Sequence, residues 1–236
     1  MSDSGVSLTV MARTGAGEAG LVCTLAEVPQ GGVLTGIAGA GGELWFVIEG
    51  SGSLDLDGVQ GPALAPDRGL WIPPRGRYQV ECDGEGALRV DMVALPSPSR
   101  PAATNEGSRA VGANEPLSRD LRDCLAETTG DRRFRVLFGP GRDCAAATQF
   151  VGEIPPGRAP EHSHPYDEVV LVLQGTGVAH TGSGDLELSA GTCLHLPPGL
   201  GHCLENTGPH AMRVLGVFHP ADSPAAKLPR GTEART

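Results

Sequence analysis

Three histidines and a glutamate carry the chemistry of this chain. His162-Ser163-His164 is followed by Pro165-Tyr166-Asp167 and then Glu168, and His202 comes 34 residues later. All seven histidines lie in the last 75 of the 236 residues. Imidazole and carboxylate are ligands for borderline divalent metals. An HxH pair at i, i+2 is what an extended segment offers to one ion, because alternate residues share a face. Pro165 ends that segment, Glu168 opens the next one, and His202 lies just past a Pro-Pro-Gly turn in GTCLHLPPGLGHCLEN. Ligands drawn from separate strands fix the geometry of a mononuclear site and leave positions open for water or substrate. One metal site in the C-terminal half is therefore expected.

Several neighbours are candidates for work beside the metal. His195, two residues before Pro197, reads either as a general base or partner of the site or as a structural histidine. Tyr166, inside the HxHPYDE turn, reads as a donor to bound substrate or as an ordinary loop tyrosine. Arg213, on the run AMRVLGVF, reads as a fork for a substrate carboxylate or as a surface arginine. Asp167 is expected on the face opposite Glu168. Gln149 and Glu153 alternate with Phe150 and Gly152, and one of the two faces should enter the barrel. His180, His210 and His219 read as exposed or structural. Cys193 and Cys203 read as small hydrophobes.

The elements that must position these residues read as strands. ELWFVIEG and EVVLVLQG are apolar runs, each opened by a glutamate (Glu43, Glu168) and closed by a glycine after six intervening residues (Gly50, Gly175), 125 residues apart. Trp71-Ile72-Pro73-Pro74 matches His195-Leu196-Pro197-Pro198 at an offset of 124. Two matches that keep their separation to within one residue indicate a duplication. With 35 glycines and 20 prolines punctuating short apolar runs, the chain reads as all-β. Residues 96–116, PSPSRPAATNEGSRAVGANEP, read as a linker. PLSRDLRDCLAETTG, with Leu117, Leu121, Cys124 and Leu125 at helical spacing, reads as a short helix stopping at Gly130. The expected organisation is an N-terminal barrel over 1–96, linker and helix over 97–130, and a C-terminal barrel over 131–225.

With these motifs in place, the chain resembles the cupins. Glycine, HxH, three residues, Glu, six residues and Gly is similar to the first cupin motif, with Gly157 one residue closer to His162 than usual. Gly191, Pro197, Gly199, His202 and Asn206 match the second motif at every fixed position. The resemblance covers about 50 residues, Gly157 to Asn206. It implies packed antiparallel sheets in a jelly roll, a bicupin with two such barrels, and His162, His164, Glu168 and His202 as metal ligands. In the upstream copy the ligand positions fall on Ile37, Gly39, Glu43 and Tyr78, so that barrel is expected to be metal-free.

Composition narrows the function. A net charge of −10 with no basic run excludes nucleic acid and anionic membranes as natural partners. The start, MSDSGVSLTVMARTG, lacks the pattern of a secretory leader, and no apolar run is long enough to span a bilayer. A cytoplasmic protein with six reduced cysteines is expected. The resemblance implies an enzyme acting on a small enolic or carboxylated molecule. The first reading is a dioxygenase holding Fe(II), with Mn, Ni, Zn, Co or Cu fitting the same donors. The alternatives are an isomerase, decarboxylase or lyase using the metal as a Lewis acid, or a protein that binds metal or a small ligand without turnover. The sequence leaves monomer and homodimer open, and sheet edges of such barrels offer a surface for a homodimer.

Overall fold

The computed structural model describes residues 5–15, 19–97 and 117–225. It divides into two compact units, Met1–Arg122 and Asp123–Thr236. The first unit holds β1 (Ser7–Arg13), β2 (Val22–Val28), β3 (Val33–Ile37), β4 (Glu43–Glu49), β5 (Gly52–Leu56), β6 (Val59–Gln60), β7 (Arg68–Ile72), β8 (Arg77–Cys82), β9 (Leu88–Ala94) and β10 (Leu117–Asp120). The second holds β11 (Ala126–Thr129), β12 (Arg132–Phe138), β13 (Thr148–Ile154), β14 (Gly157–Arg158), β15 (Asp167–Gln174), β16 (Thr176–Thr181), β17 (Gly184–Ser189), β18 (Cys193–Leu196), β19 (His202–Asn206) and β20 (Met212–His219). Each unit pairs a six-stranded sheet with a four-stranded one. The orders are β1-β2-β9-β4-β7-β10 with β3-β8-β5-β6, and β11-β12-β13-β20-β15-β18 with β14-β19-β16-β17.

The duplication read from the sequence is a duplication of topology. β4 lies between β9 and β7 as β15 lies between β20 and β18, and β3-β8-β5-β6 repeats as β14-β19-β16-β17. Glu43 faces Ile72 across β4 and β7, and Glu168 faces Leu196 across β15 and β18. Even the bulges correspond. β4 slips against β9 between Val47 and Glu49, and β15 slips against β20 between Val172 and Gln174. The closing glycines Gly50 and Gly175 both take positive φ, at 82° and 96°. A Cβ on Gly175 would lie 2.9 Å from the Met212 backbone, so the turn after β15 has no room for another residue.

Strand alternation sorts the second unit into two faces. Val170 and Val172 of β15, Leu194 and Leu196 of β18, Leu204 of β19, and Met212 and Val214 of β20 form its core. Glu168 is in register with Val170 and Val172 and therefore points inward, while Asp167 points to the other face. Asn206 ends β19 and ties the barrel together. Its amide donates to the carbonyls of Ile154 and His210, both at 2.8 Å, and its carbonyl accepts the Gly208 N–H at 2.9 Å.

The helix expected over 116–130 does not form. Leu117–Asp120 instead pairs with β7, Leu121–Asp123 makes one 3-10 turn, and Ala126–Thr129 pairs with β12. Two open sheet edges recruit these segments, and ladder pairing outweighs local helical spacing. The Asp120 carboxylate accepts the Arg122 N–H at 3.0 Å, which starts the turn. Leu121 and Cys124 are buried, but Leu125 of the expected apolar stripe is 74% exposed. From residue 98 to 116 the expected linker lies outside the described residues. All six cysteines are free thiols, five of them buried. Among the described residues no helix is long and apolar enough to cross a membrane.

Asn206 gives the first test. Asn206→Ala leaves one buried and two part-buried backbone groups without their partner. It lowers the unfolding free energy of the second unit by about 2–3 kcal/mol, read as a fall in urea midpoint at unchanged slope.

Candidate metal centre

The backbone assembles the histidines before any ligand arrives. His162 and His202 form an antiparallel bridge with reciprocal bonds, His162 N–H to His202 O at 3.0 Å and His202 N–H to His162 O at 2.8 Å. The Pro197–Leu200 turn is closed by a bond from Leu200 N–H to Pro197 O at 3.1 Å, and its Gly199 N–H holds the His164 carbonyl at 2.8 Å. Gly199 takes φ 77°, a conformation that favours glycine, which accounts for the Pro-Pro-Gly sequence. The ring nitrogens of His162, His164 and His202 can be chosen so that all lie within 4.8 Å of one another.

Hydrogen bonds also set which nitrogen is available. His162 Nδ1 lies 3.1 Å from the Pro160 carbonyl, and His202 Nδ1 lies 2.9 Å from the Leu200 carbonyl. A carbonyl only accepts, so each Nδ1 carries the proton and each Nε2 keeps its lone pair. His164 Nδ1 meets the Tyr166 hydroxyl at 3.0 Å, and the Tyr166 ring stacks on both His164 and Phe218. An outer partner on the second nitrogen of each ring is the usual arrangement around a metal-bound histidine.

Glu168 stands beside His164, outside the cluster of three histidines whose ligand atoms lie within 4.8 Å of one another. Its side chain is 7% exposed, and Oε2 lies 3.7 Å from His164 Nε2, too far for a hydrogen bond. Burial alone pushes its carboxyl up to about 8. A buried carboxylate without donors is costly unless a cation faces it. Three imidazole lone pairs and one such carboxylate are a donor set that fits a divalent transition metal. Burial also holds His202 below its ordinary value, with the Leu200 carbonyl opposing and the Arg132 charge adding to the effect, so the neutral, ligating form is favoured. Tyr166 is raised well above the usual phenol range by burial and then by the Glu168 charge, so it stays neutral.

The first unit answers the same problem differently. Glu43, the counterpart of Glu168, accepts the Trp45 indole N–H at 2.7 Å and the Gly39 backbone N–H at 3.2 Å. Gly39 stands where His164 stands in the second unit. Tyr78, in the place of His202, sets its ring edge-on to Trp45 at 4.7 Å. Protein donors thus satisfy this carboxyl, and His162, His164 and His202 are the one cluster of three metal-ligating side chains among the described residues.

The cavity above the histidines is lined by apolar side chains, among them Phe134, Phe150, Ile154, Val170 and Leu204, together with Tyr166, Glu168 and Arg132. It is the Phe150/Gly152 face of β13 that enters the barrel. Glu153 sits at the rim, ion-paired with Arg135 at 3.2 Å. Two expected neighbours of the metal are elsewhere. His195 alternates with the inward Leu194 and Leu196, so it points to the opposite face, where its Nε2 meets Asp167 Oδ1 at 2.8 Å. Arg213 precedes the inward Val214 and likewise faces away from the cavity. His180 lies between Asp185 and Glu205, 2.8 Å from each, and His219 Nδ1 donates to the Ala146 carbonyl, so both are structural. Cys203 donates to the Ala159 carbonyl, away from the histidines. The residue missed was Arg132, whose only signal is its alternation with Phe134 in RRFRVLF.

Residues 150–218 match the family model described as a cupin domain. The match lies within the second unit, and solved cupin structures share the fold of this chain over most of their length. The E. coli protein Ylba superposes with a TM-score of 0.70 at 14% identity, covering 92% of this chain and 84% of that one. A cupin 2 conserved barrel domain protein from Leptotrichia buccalis gives 0.59 at 14% identity, covering 91% and 88%. Bacillus subtilis oxalate decarboxylase, in a structure concerned with its Mn(II) centres, gives 0.70 at 12% identity, covering 94% and 74%. At these identities the likeness is one of fold. No curated protein matches the sequence.

Two outcomes check the cupin centre. Tyr166→Phe removes the outer partner of His164 and weakens metal binding by about 10–100-fold, measured by competition with a chromophoric chelator. In the metal-free protein the Glu168 carboxyl titrates higher than in the unfolded chain. Its contribution to stability is therefore present at low pH and lost as pH rises toward about 8. Glu168→Gln cannot titrate, so its stability advantage over metal-free wild type grows between pH 5 and 8 in urea unfolding, and added metal reverses the order.

Proposed function

We propose that this cupin is a metal-dependent enzyme for a small oxygen-rich molecule. In this reading His162, His164, Glu168 and His202 hold one ion, and the chemistry is that of a dioxygenase. What supports the reading is the buried Glu168 carboxylate, which has no hydrogen-bond donor and stands beside three imidazoles with oriented lone pairs. Fe(II) held by this donor set supplies a binding position for dioxygen and polarises substrate oxygens, and Mn, Ni, Co, Cu or Zn fit the same donors.

The chain's own residues do the rest. The Pro160 and Leu200 carbonyls and the Tyr166 hydroxyl keep the three rings in place. The apolar wall excludes water and strengthens every charge inside it. Isomerisation, decarboxylation and elimination call for an acid or base aimed at the substrate. Of the acids and bases that line the cavity, Glu168 and the three histidines are assigned to the metal in this reading, the Tyr166 hydroxyl bonds to His164, and Glu153 is ion-paired with Arg135. Oxygen chemistry asks less of the wall, and this favours the dioxygenase.

Tyr166 also favours a second reading. When its oxygen accepts the His164 Nδ1–H, its own O–H remains an acid that a decarboxylase, isomerase or lyase can use. The oxalate decarboxylase among the fold neighbours is an enzyme of that class.

The test is anaerobic loading with Fe(II) followed by oxygen-electrode and product analysis with enols, catechols and small carboxylates. The expected result is substrate-dependent oxygen uptake that falls to background in His162→Ala. Turnover without oxygen uptake moves the assignment to the second reading. Tight metal with no turnover makes the chain a binding protein.

A further inference from the structure

Three charged groups outside the metal set line the cavity, Arg132, Arg133 and Glu153; Glu153 is ion-paired with Arg135 and Arg133 is exposed, which leaves Arg132 as the half-buried one. Arg132 opens β12 on the same face as Phe134 and lines the cavity with it. It is half-buried, and burial lowers its guanidinium from the ordinary value, yet arginine keeps its charge under such conditions. Its Nη2 reaches across the barrel and donates to the Leu204 carbonyl at 2.9 Å. Leu204 lies on β19 two residues after His202, so the guanidinium is anchored beside the histidine cluster. Its positive charge is one of the influences that keep His202 neutral.

The anchor uses one of five N–H donors. Among the described residues no carboxylate forms an ion pair with Arg132, although neighbouring arginines have one, Arg135 with Glu153 and Arg142 with Glu127. A half-buried cation that lines a cavity, with N–H donors beyond the one held by Leu204 and the neighbouring Asp131 charge as its nearest carboxylate influence, matches an anion that arrives with the ligand. Size narrows the ligand. The cavity beside the histidines is partly open to solvent, and its inner volume is about 70 Å³, room for roughly five to seven waters at the 10–15 Å³ each requires. That suits a carboxylate of a few carbons better than an aromatic ring.

From this geometry we infer that Arg132 is the anion-binding residue of the cavity. It holds the carboxylate of a small 2-oxygenated acid whose second oxygen points at His162, His164 and His202. The inference rests on the proposed centre for the second oxygen, and on Arg132 alone for the carboxylate.

The test is calorimetric titration of the full chain, metal-free and Mn(II)-loaded, with glycolate and with its uncharged isostere glycolamide. Wild type is compared with Arg132→Met and Arg132→Lys, with melting temperature and bound Mn(II) recorded for each. The expected result is a loss of about tenfold or more in glycolate affinity in Arg132→Met and a smaller loss in Arg132→Lys. Glycolamide affinity and metal content stay at wild-type values, while the melting temperature of Arg132→Met falls by a few degrees because the Leu204 carbonyl loses its donor. The inference is overturned if Arg132→Met binds glycolate within twofold of wild type, if glycolamide affinity falls in parallel, or if neither form of wild type binds glycolate. If the wild type takes no Mn(II), the metal reading fails by itself, and Arg132 is judged on the metal-free titrations by the same criteria.

Discussion

One carboxylate organises the second barrel. Glu168 is buried at the inner end of a strand whose other inward residues are valines, and no hydrogen-bond donor reaches it. An ionised carboxyl in that position lacks compensation, and a protonated one gives up part of the charge that would attract a cation. The surrounding structure brings three imidazoles close to that carboxyl. Two histidines are locked in register by a backbone bridge, and a third is pinned by a proline turn and a tyrosine. The wall beyond them is apolar, so a cation placed there interacts strongly with all four donors.

The first barrel shows that the scaffold does not itself demand an ion. It keeps the strand order, the bulge and the inward glutamate, but it supplies an indole N–H and a backbone N–H where the second barrel leaves the carboxyl bare. Trp45 occupies the position of Val170, and Tyr78 that of His202. Gly36 has no side chain because the Tyr78 ring lies where its Cβ would be. A few substitutions on one topology thus separate a self-satisfied core from a ligand-seeking one. The difference lies in which atoms donate to a single acid.

Much of this is legible in the residues themselves. Alternation places His162 with His164 and separates Asp167 from Glu168, and the spacing of two glutamates and two Pro-Pro turns reveals the repeat. Face assignment fails where apolar residues run on without a break. In AMRVLGVF nothing local says that Val214 and not Arg213 points inward, and only pairing with β13 and β15 decides it. For His195 the signal was present, since Leu194 and Leu196 flank it in CLHL and claim the inner face. Arg132 stands among several arginines, and its strand register is what distinguishes it. The segment after Pro116 has helical spacing, but the free edges of two sheets, invisible in a local window, convert it to strands.

The central claim concerns which side chains surround the ion, and X-ray absorption at the metal edge reads them directly. For protein loaded with one equivalent of Mn(II) or Fe(II), the account predicts a first shell of nitrogen and oxygen. Multiple scattering should then count three imidazoles, falling to two in His164→Ala. A spectrum fitted by oxygen alone, or an imidazole count that the substitution leaves unchanged, would contradict it.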